Sequence, residues 1–335
     1  MSNPHTDDSA QLPDELPRVE PPSAGFIVQL FLIPALIVLV IVIVWLGVSR
    51  LASSEQDWRG LVADLKSPHE HLRWRGAFGL AQMLQADRDP AGDEPRLVNN
   101  PEVAKELSEL LQSELRRGSK SDDDLKQQAF LARTLGLFHI PDAVLPALEE
   151  ATRPDHDREV RKNALGAIAV LAGREAEKGA TLDHPGLEDM LLDASRDGDP
   201  LIRQMAAFDL GLMPGDAAKG RLEVMLEDAD SATRANAAIG LSRHGELTGL
   251  PILKDILRSA ENQVEQGSSD EYGHFLALKN SIHAIELLAP QIQGEQRKEV
   301  IDLLSQIVKS FREPRIRVDA EKALLALRER APAAK

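Results

Sequence analysis

Two patterns of apolar residues divide the chain. Residues 26–48 read FIVQLFLIPALIVLVIVIVWLGV, apolar on every face of a helix, with Gln29 as the one strongly polar side chain. Beyond residue 56, apolar positions instead recur three and four residues apart, the spacing of helices buried along one stripe. These stripes come in two kinds that alternate. The first kind comprises WRGLVADL, EVAKELSELL, AVLPALEEA, LEDMLLDA, RLEVMLED, LPILKDIL and EVIDLLSQIV. The second is a recurring phrase: PHEHLRWRGAFGLA at 68–81, DREVRKNALGAIA at 157–169, DPLIRQMAAFDLG at 199–211, DSATRANAAIGLS at 230–242 and EPRIRVDAEKALLAL at 313–327. The pattern predicts a helix, a short turn and a second helix, repeated along the chain.

Each phrase sets an acid or proline turn before an arginine, with small residues three and four positions further on. The anchors are Arg73, Arg161, Arg203, Arg234 and Arg317, and degenerate copies centre on Gln128 and Lys279. Asp157, Asp199 and Asp230 stand where a helix must satisfy its first N–H groups, and Pro200 suits a first turn. Ala206–Ala207 and Ala237–Ala238 allow neighbouring helices to approach closely. An arginine at the anchor can reach carbonyls or acids of an adjacent turn, which predicts a polar ladder along the stack.

On these phrases the chain resembles the HEAT repeat superfamily, including its lyase-associated helical variants. The resemblance implies an all-α fold, an α-solenoid of about seven helix-turn-helix repeats over residues 57–330. The apolar run at 26–48 is long enough to cross a ~30 Å hydrocarbon core, so it is read as a transmembrane helix. Trp45 suits an interface, and Pro34 is tolerable within such a helix. Residues 1–25, with Pro4, Pro13, Pro17, Pro21 and Pro22 and five acids against Arg18, are read as a disordered acidic tail. Residues 49–56 form a juxtamembrane linker and 331–335 a disordered C-terminus. Arg50, Arg59 and Lys66 after the run place the repeats on the cytoplasmic side of a single-pass protein.

Composition narrows the chemistry. A formal charge of −15 and 4% aromatics disfavour nucleic-acid binding, which needs clustered cations and stacking platforms. With no cysteine, thiolate metal sites, disulfides and cysteine nucleophiles are excluded. Asp193, Ser195, Asp197 and Gly198 match the start of a calcium loop. The match then fails at Pro200 and at Gln204, where a bidentate Glu is required. The nine histidines, among them His156 and His184, form no metal-binding helix pattern. Asp122–Asp124 read as a solvated cap, and no phosphate loop or nucleophile elbow is present.

Trp58 and Trp74, in the first repeat, are either end caps of the core or contacts for a partner or an interface. Long breaks in the rhythm at 86–100, 173–186 and 260–273, the last with Tyr272, are candidate binding loops. No catalytic, cofactor or metal residue is assigned. The expected function is a membrane-anchored scaffold or adaptor that binds a protein with a basic surface and has no enzymatic activity. The alternatives are an enzyme or chaperone-like factor of the bilin-lyase-associated type, and a structural subunit of a membrane complex.

Overall fold

In the computed structural model, residues 25, 35–44, 58–87, 97–264 and 271–329 are described. The chain divides into two units, residues 1–57 and 58–335. In the first, residues 35–44 are helical and exposed. Among the described residues no helix is long and apolar enough to cross a membrane, which overturns the single-pass, membrane-anchored reading and the sidedness inferred from it. Residues 26–34 and 45–48 of that run lie outside the described residues, as do the tail before residue 25, the linker and the C-terminus.

Among the described residues the second unit is built of helices joined by turns. Its helices are α1 (Trp58–Leu65), α2 (Glu70–Ala86), α3 (Pro101–Arg117), α4 (Asp122–Leu135), α5 (Pro141–Ala151), α6 (Arg158–Glu177) and α7 (Leu187–Ala194). They continue with α8 (Pro200–Leu210), α9 (Asp216–Met225), α10 (Ser231–Arg243), α11 (Leu250–Val264), α12 (Glu271–Leu288), α13 (Gly294–Ser310) and α14 (Pro314–Glu329). Each odd-numbered helix packs on the even-numbered helix that follows, giving seven pairs. Even-numbered helices also pack on the even-numbered helix of the next pair, so the second helices form a continuous layer. The first stripes of the sequence supply one layer and the recurring phrases supply the other.

The caps act where the sequence places them. Asp157, Asp199 and Asp230 accept hydrogen bonds from the amides of Glu159, Leu201 and Thr233 at 2.8, 2.8 and 2.7 Å. Asn100 and Ser121 do the same for α3 and α4. Asp122–Asp124 therefore belong to the first turn of a helix, which suits its positive end. The long breaks are shorter than the sequence rhythm implies. α6 runs on to Glu177, α11 runs to Val264, and a 3-10 turn occupies Leu97–Asn99.

The core lies between the layers. One cluster runs from Val62 to Leu241 and a second from Ala238 to Leu327, with Leu226 packed against both. Each fully buried leucine contributes roughly 1.5–3 kcal/mol through apolar area removed from water. Small residues bring the second layer into backbone contact. A Cβ on Gly211 would lie 2.5 Å from the Cα of Gly240, and one on Gly136 would lie 2.7 Å from the Cα of Ala167. The exception is α2, which packs on α4 far less closely than the later even-numbered helices pack on one another.

Candidate functional site

The anchor arginines form the ladder. Nη1 of Arg73, Arg203, Arg234 and Arg317 donates to the carbonyls five and six residues back, in the turn before its own helix. The remaining guanidinium edge of Arg203 grips Asp228 of the next turn through two bonds of 2.8 and 2.9 Å. Arg161 spans a longer turn. It donates from Nε to the Thr152 carbonyl at 3.1 Å, and its Nη2 pairs with Asp197 of the next repeat. In the second pair, Gln128 stands in for arginine and donates to the Glu114 carbonyl at 3.4 Å.

These contacts set the acids' ionisation. The Arg203 hydrogen bond holds the Asp228 carboxyl below the usual carboxylate range. Burial pushes Asp197 up, but Arg161 and the Asp199 amide outweigh it and leave it lowered. Asp193 pairs with Arg196 at 3.2 Å, so both acids of the calcium-like segment have protein partners. Among the described residues, no group of three or more His, Asp or Glu is placed to hold a metal ion.

Stacking brings together acids that the sequence keeps forty residues apart. A cleft of about 310 Å³ opens between the end of α5 and the end of α7, at the edge formed by successive turns. Its acids are Glu149, Glu150, Asp193 and Asp197; its cations are Arg153 and Arg161, with Met190 and Pro146 on its apolar wall. Neither α5 nor α7 contains a lysine or arginine. His184 Nδ1 lies 2.9 Å from Glu149, tying the segment before α7 to α5. Arg153 reaches Glu150 at 3.1 Å, and His156 Nε2 lies 3.7 Å from the same carboxylate. Arg161 is committed to Thr152 and Asp197, Arg153 to Glu150 and Arg196 to Asp193, and the cleft wall itself carries four carboxylates against two arginines. The Asp193 side chain is 86% exposed and free to be reached from solution.

The sequence reading assigned no site residues and did not single out Glu149 or Glu150. The only sequence signal was two helices, AVLPALEEA and LEDMLLDA, that carry acids and no base. Trp58 is half-buried, with the Arg59 guanidinium 4.4 Å from its ring, whereas Trp74 is exposed. The Tyr272 side chain lies outside the described residues.

Comparison with known proteins gives the class first. Residues 188–269 match the family of HEAT repeats, which supports the HEAT-repeat superfamily and an all-α repeat fold. Among solved structures, the chain is similar to the Escherichia coli protein YibA, at 18% identity and a TM-score of 0.46, covering 82% of this chain and 83% of that one. It is also similar to the complex of CpcE and CpcF of phycocyanin lyase from Nostoc sp. PCC7120, at 16% identity and 0.46, covering 82% and 96%. A third is a designed armadillo repeat protein, at 19% identity and 0.36, covering 74% and 99%. No curated protein sequence matches the chain.

Proposed function

We propose that the protein is a non-enzymatic adaptor that binds a protein partner along the turn edge of its repeats, with the acidic cleft between α5 and α7 receiving a basic segment. The observation that carries this reading is the cleft itself. It is concave, opens to solvent and is lined by four carboxylates against two arginines, with the Asp193 side chain exposed. Two helices without a single base border it. A lysine or arginine side chain entering it would meet Glu149, Glu150 and Asp193 while its stem packs on Met190 and Pro146.

The test is crosslinking of the full chain in its native cells followed by mass spectrometry, comparing wild type with a Glu149→Lys, Glu150→Lys, Asp193→Lys variant. A protein crosslinked reproducibly near 146–154 and 190–197, and lost from the variant, supports the reading. A partner retained by the variant contradicts the cleft. A small molecule recovered with the chain, with no protein partner, contradicts the adaptor role.

A further inference from the structure

The polar ladder lacks a rung at the second pair. Where a rung closes, the anchor arginine of one pair grips the acid six residues before the anchor of the next. Arg161 takes Asp197, six before Arg203, and Arg203 takes Asp228, six before Arg234. In the second pair the anchor is Gln128. Packing fixes its register: Gly136, eight residues on, meets Ala167 as Gly211, eight residues after Arg203, meets Gly240. Gln128 is buried and turns back to the Glu114 carbonyl of its own pair at 3.4 Å. The acid in the gripped position is Asp155, six residues before Arg161. It is exposed and, among the described residues, has neither a hydrogen bond nor an ion pair.

Gln128 and Asp155 both line a cavity of about 120 Å³, walled by the turn before α4 and the turn before α6. A single water needs about 10–15 Å³ of such space, so the cavity admits the planar end of an arginine. Leu115 and Leu125 give it an apolar side, and Asp155 and Asp157 an acidic one. Asp157 commits one carboxylate oxygen to the Glu159 amide. Lys120 is the cation of the wall; it is exposed and pairs with neither acid.

We propose that this cavity is a vacant rung that takes the guanidinium of an arginine side chain from a protein partner. The chain itself shows what the acid position binds, because Asp197 and Asp228 hold guanidinium groups in the neighbouring rungs. The fork of an arginine matches a carboxylate with two parallel bonds, as Arg203 does on Asp228, and its flat face packs on Leu115 and Leu125. A lysine offers a compact, strongly hydrated point charge and matches neither feature. Free arginine carries an α-carboxylate that Asp155 and Asp157 repel, which favours a residue within a polypeptide. The proposal rests on the adaptor reading only for the premise that a protein docks on the turn edge. Its site is distinct: Thr152, Arg153 and Pro154 line the α5–α7 cleft, whereas Asp155, His156 and Asp157 line the vacant rung.

The test titrates the nitrogen-15-labelled full chain with the capped peptide acetyl-Gly-Arg-Gly-amide, with its lysine counterpart and with free L-arginine, following amide shifts by NMR. The arginine peptide is expected to shift the amides of residues 118–120 and 155–157 saturably. The lysine peptide and free arginine are expected to bind about tenfold more weakly. Asp155→Asn, a change at an exposed side chain, is expected to weaken the arginine peptide about tenfold. Gln128→Arg is expected to fill the cavity from within, raising the thermal midpoint and abolishing peptide binding at those amides. Circular dichroism confirms that both variants fold. Equal affinity for the arginine and lysine peptides, tighter binding of free arginine, full binding by either variant, or no saturable shift at these residues would overturn the proposal. None of these outcomes bears on the α5–α7 cleft, which is read at 146–154 and 190–197 by its own substitutions.

Discussion

Asp209 is fully buried on α8, and neither of its carboxylate oxygens has a hydrogen-bond partner. Burial pushes its carboxyl well above the usual range, opposed by the charge of Arg243. An unfolded aspartate titrates near 3.9, about the value this group leaves on folding. The folded chain holds the proton to higher pH than the unfolded chain does, so stability is lost as pH climbs from about 4 toward the folded value. Asp209→Asn is therefore expected to melt close to wild type at pH 4.5 and clearly above it at pH 8, as measured by differential scanning calorimetry. A constant offset across that range would contradict this.

The ladder acids carry the opposite sign. The pairing of Asp228 with Arg203 contributes stability above about pH 4 that disappears as pH falls through the lowered folded value. Arg203→Met should cost about 2 kcal/mol at neutral pH and reduce the loss on acidification, readable from urea unfolding at pH 7 and pH 3.5. The arginine half of this network was legible in the sequence, because the anchor recurs and caps need an acid just before a helix. Asp209 was not singled out, although a signal existed. Six residues after the anchor, where Asp209 stands, the other arginine-anchored copies have Gly79, Ala167, Gly240 and Ala323. A charged side chain among small ones marks a local conflict between sequence and packing.

At the scale of the element, close approach decides what each helix tolerates. Gly211 and Gly240 meet backbone to backbone where α8 crosses α10. Gly211→Ala is expected to force the helices apart at a cost of about 1–3 kcal/mol. Gly220, inside α9, has nothing near its missing Cβ, so Gly220→Ala is expected to stabilise by about 0.5–1 kcal/mol through helix propensity. Thermal melts of the two variants check both signs, and a shift of Gly211→Ala upward would contradict the crossing geometry. Helix identities were legible because two stripe patterns alternate seven times. Their ends were less so, since α6 and α11 continue through polar residues whose helical state depends on tertiary contacts. The apolar run at 26–48 shows the reverse failure. Apolarity on every face was taken as a span, while among the described residues no helix is long and apolar enough to cross a membrane.

Across the whole repeat unit, charge is distributed by surface. Acids without bases gather on α5 and α7, while the arginines of α2 are paired with Asp124 and Asp64, and α10 carries Arg234 and Arg243 with no acid. Composition alone gave one number, −15, and pointed to one basic partner. The stacking of repeats, which places residue 150 beside residue 193, gathers part of that charge into one cleft. Such juxtapositions cannot be read from local pattern, because they arise from the register of one pair on the next.

The central claim is that the α5–α7 cleft takes a basic segment, and hydrogen exchange tests it most directly. The full chain would be mixed with a short Lys-rich peptide at low and at high salt, and amide protection would be mapped along the chain. Protection confined to 146–154 and 190–197, fading with salt and absent from the Glu149→Lys, Glu150→Lys, Asp193→Lys variant, is the expected result. Protection elsewhere, or none at low salt, would contradict it.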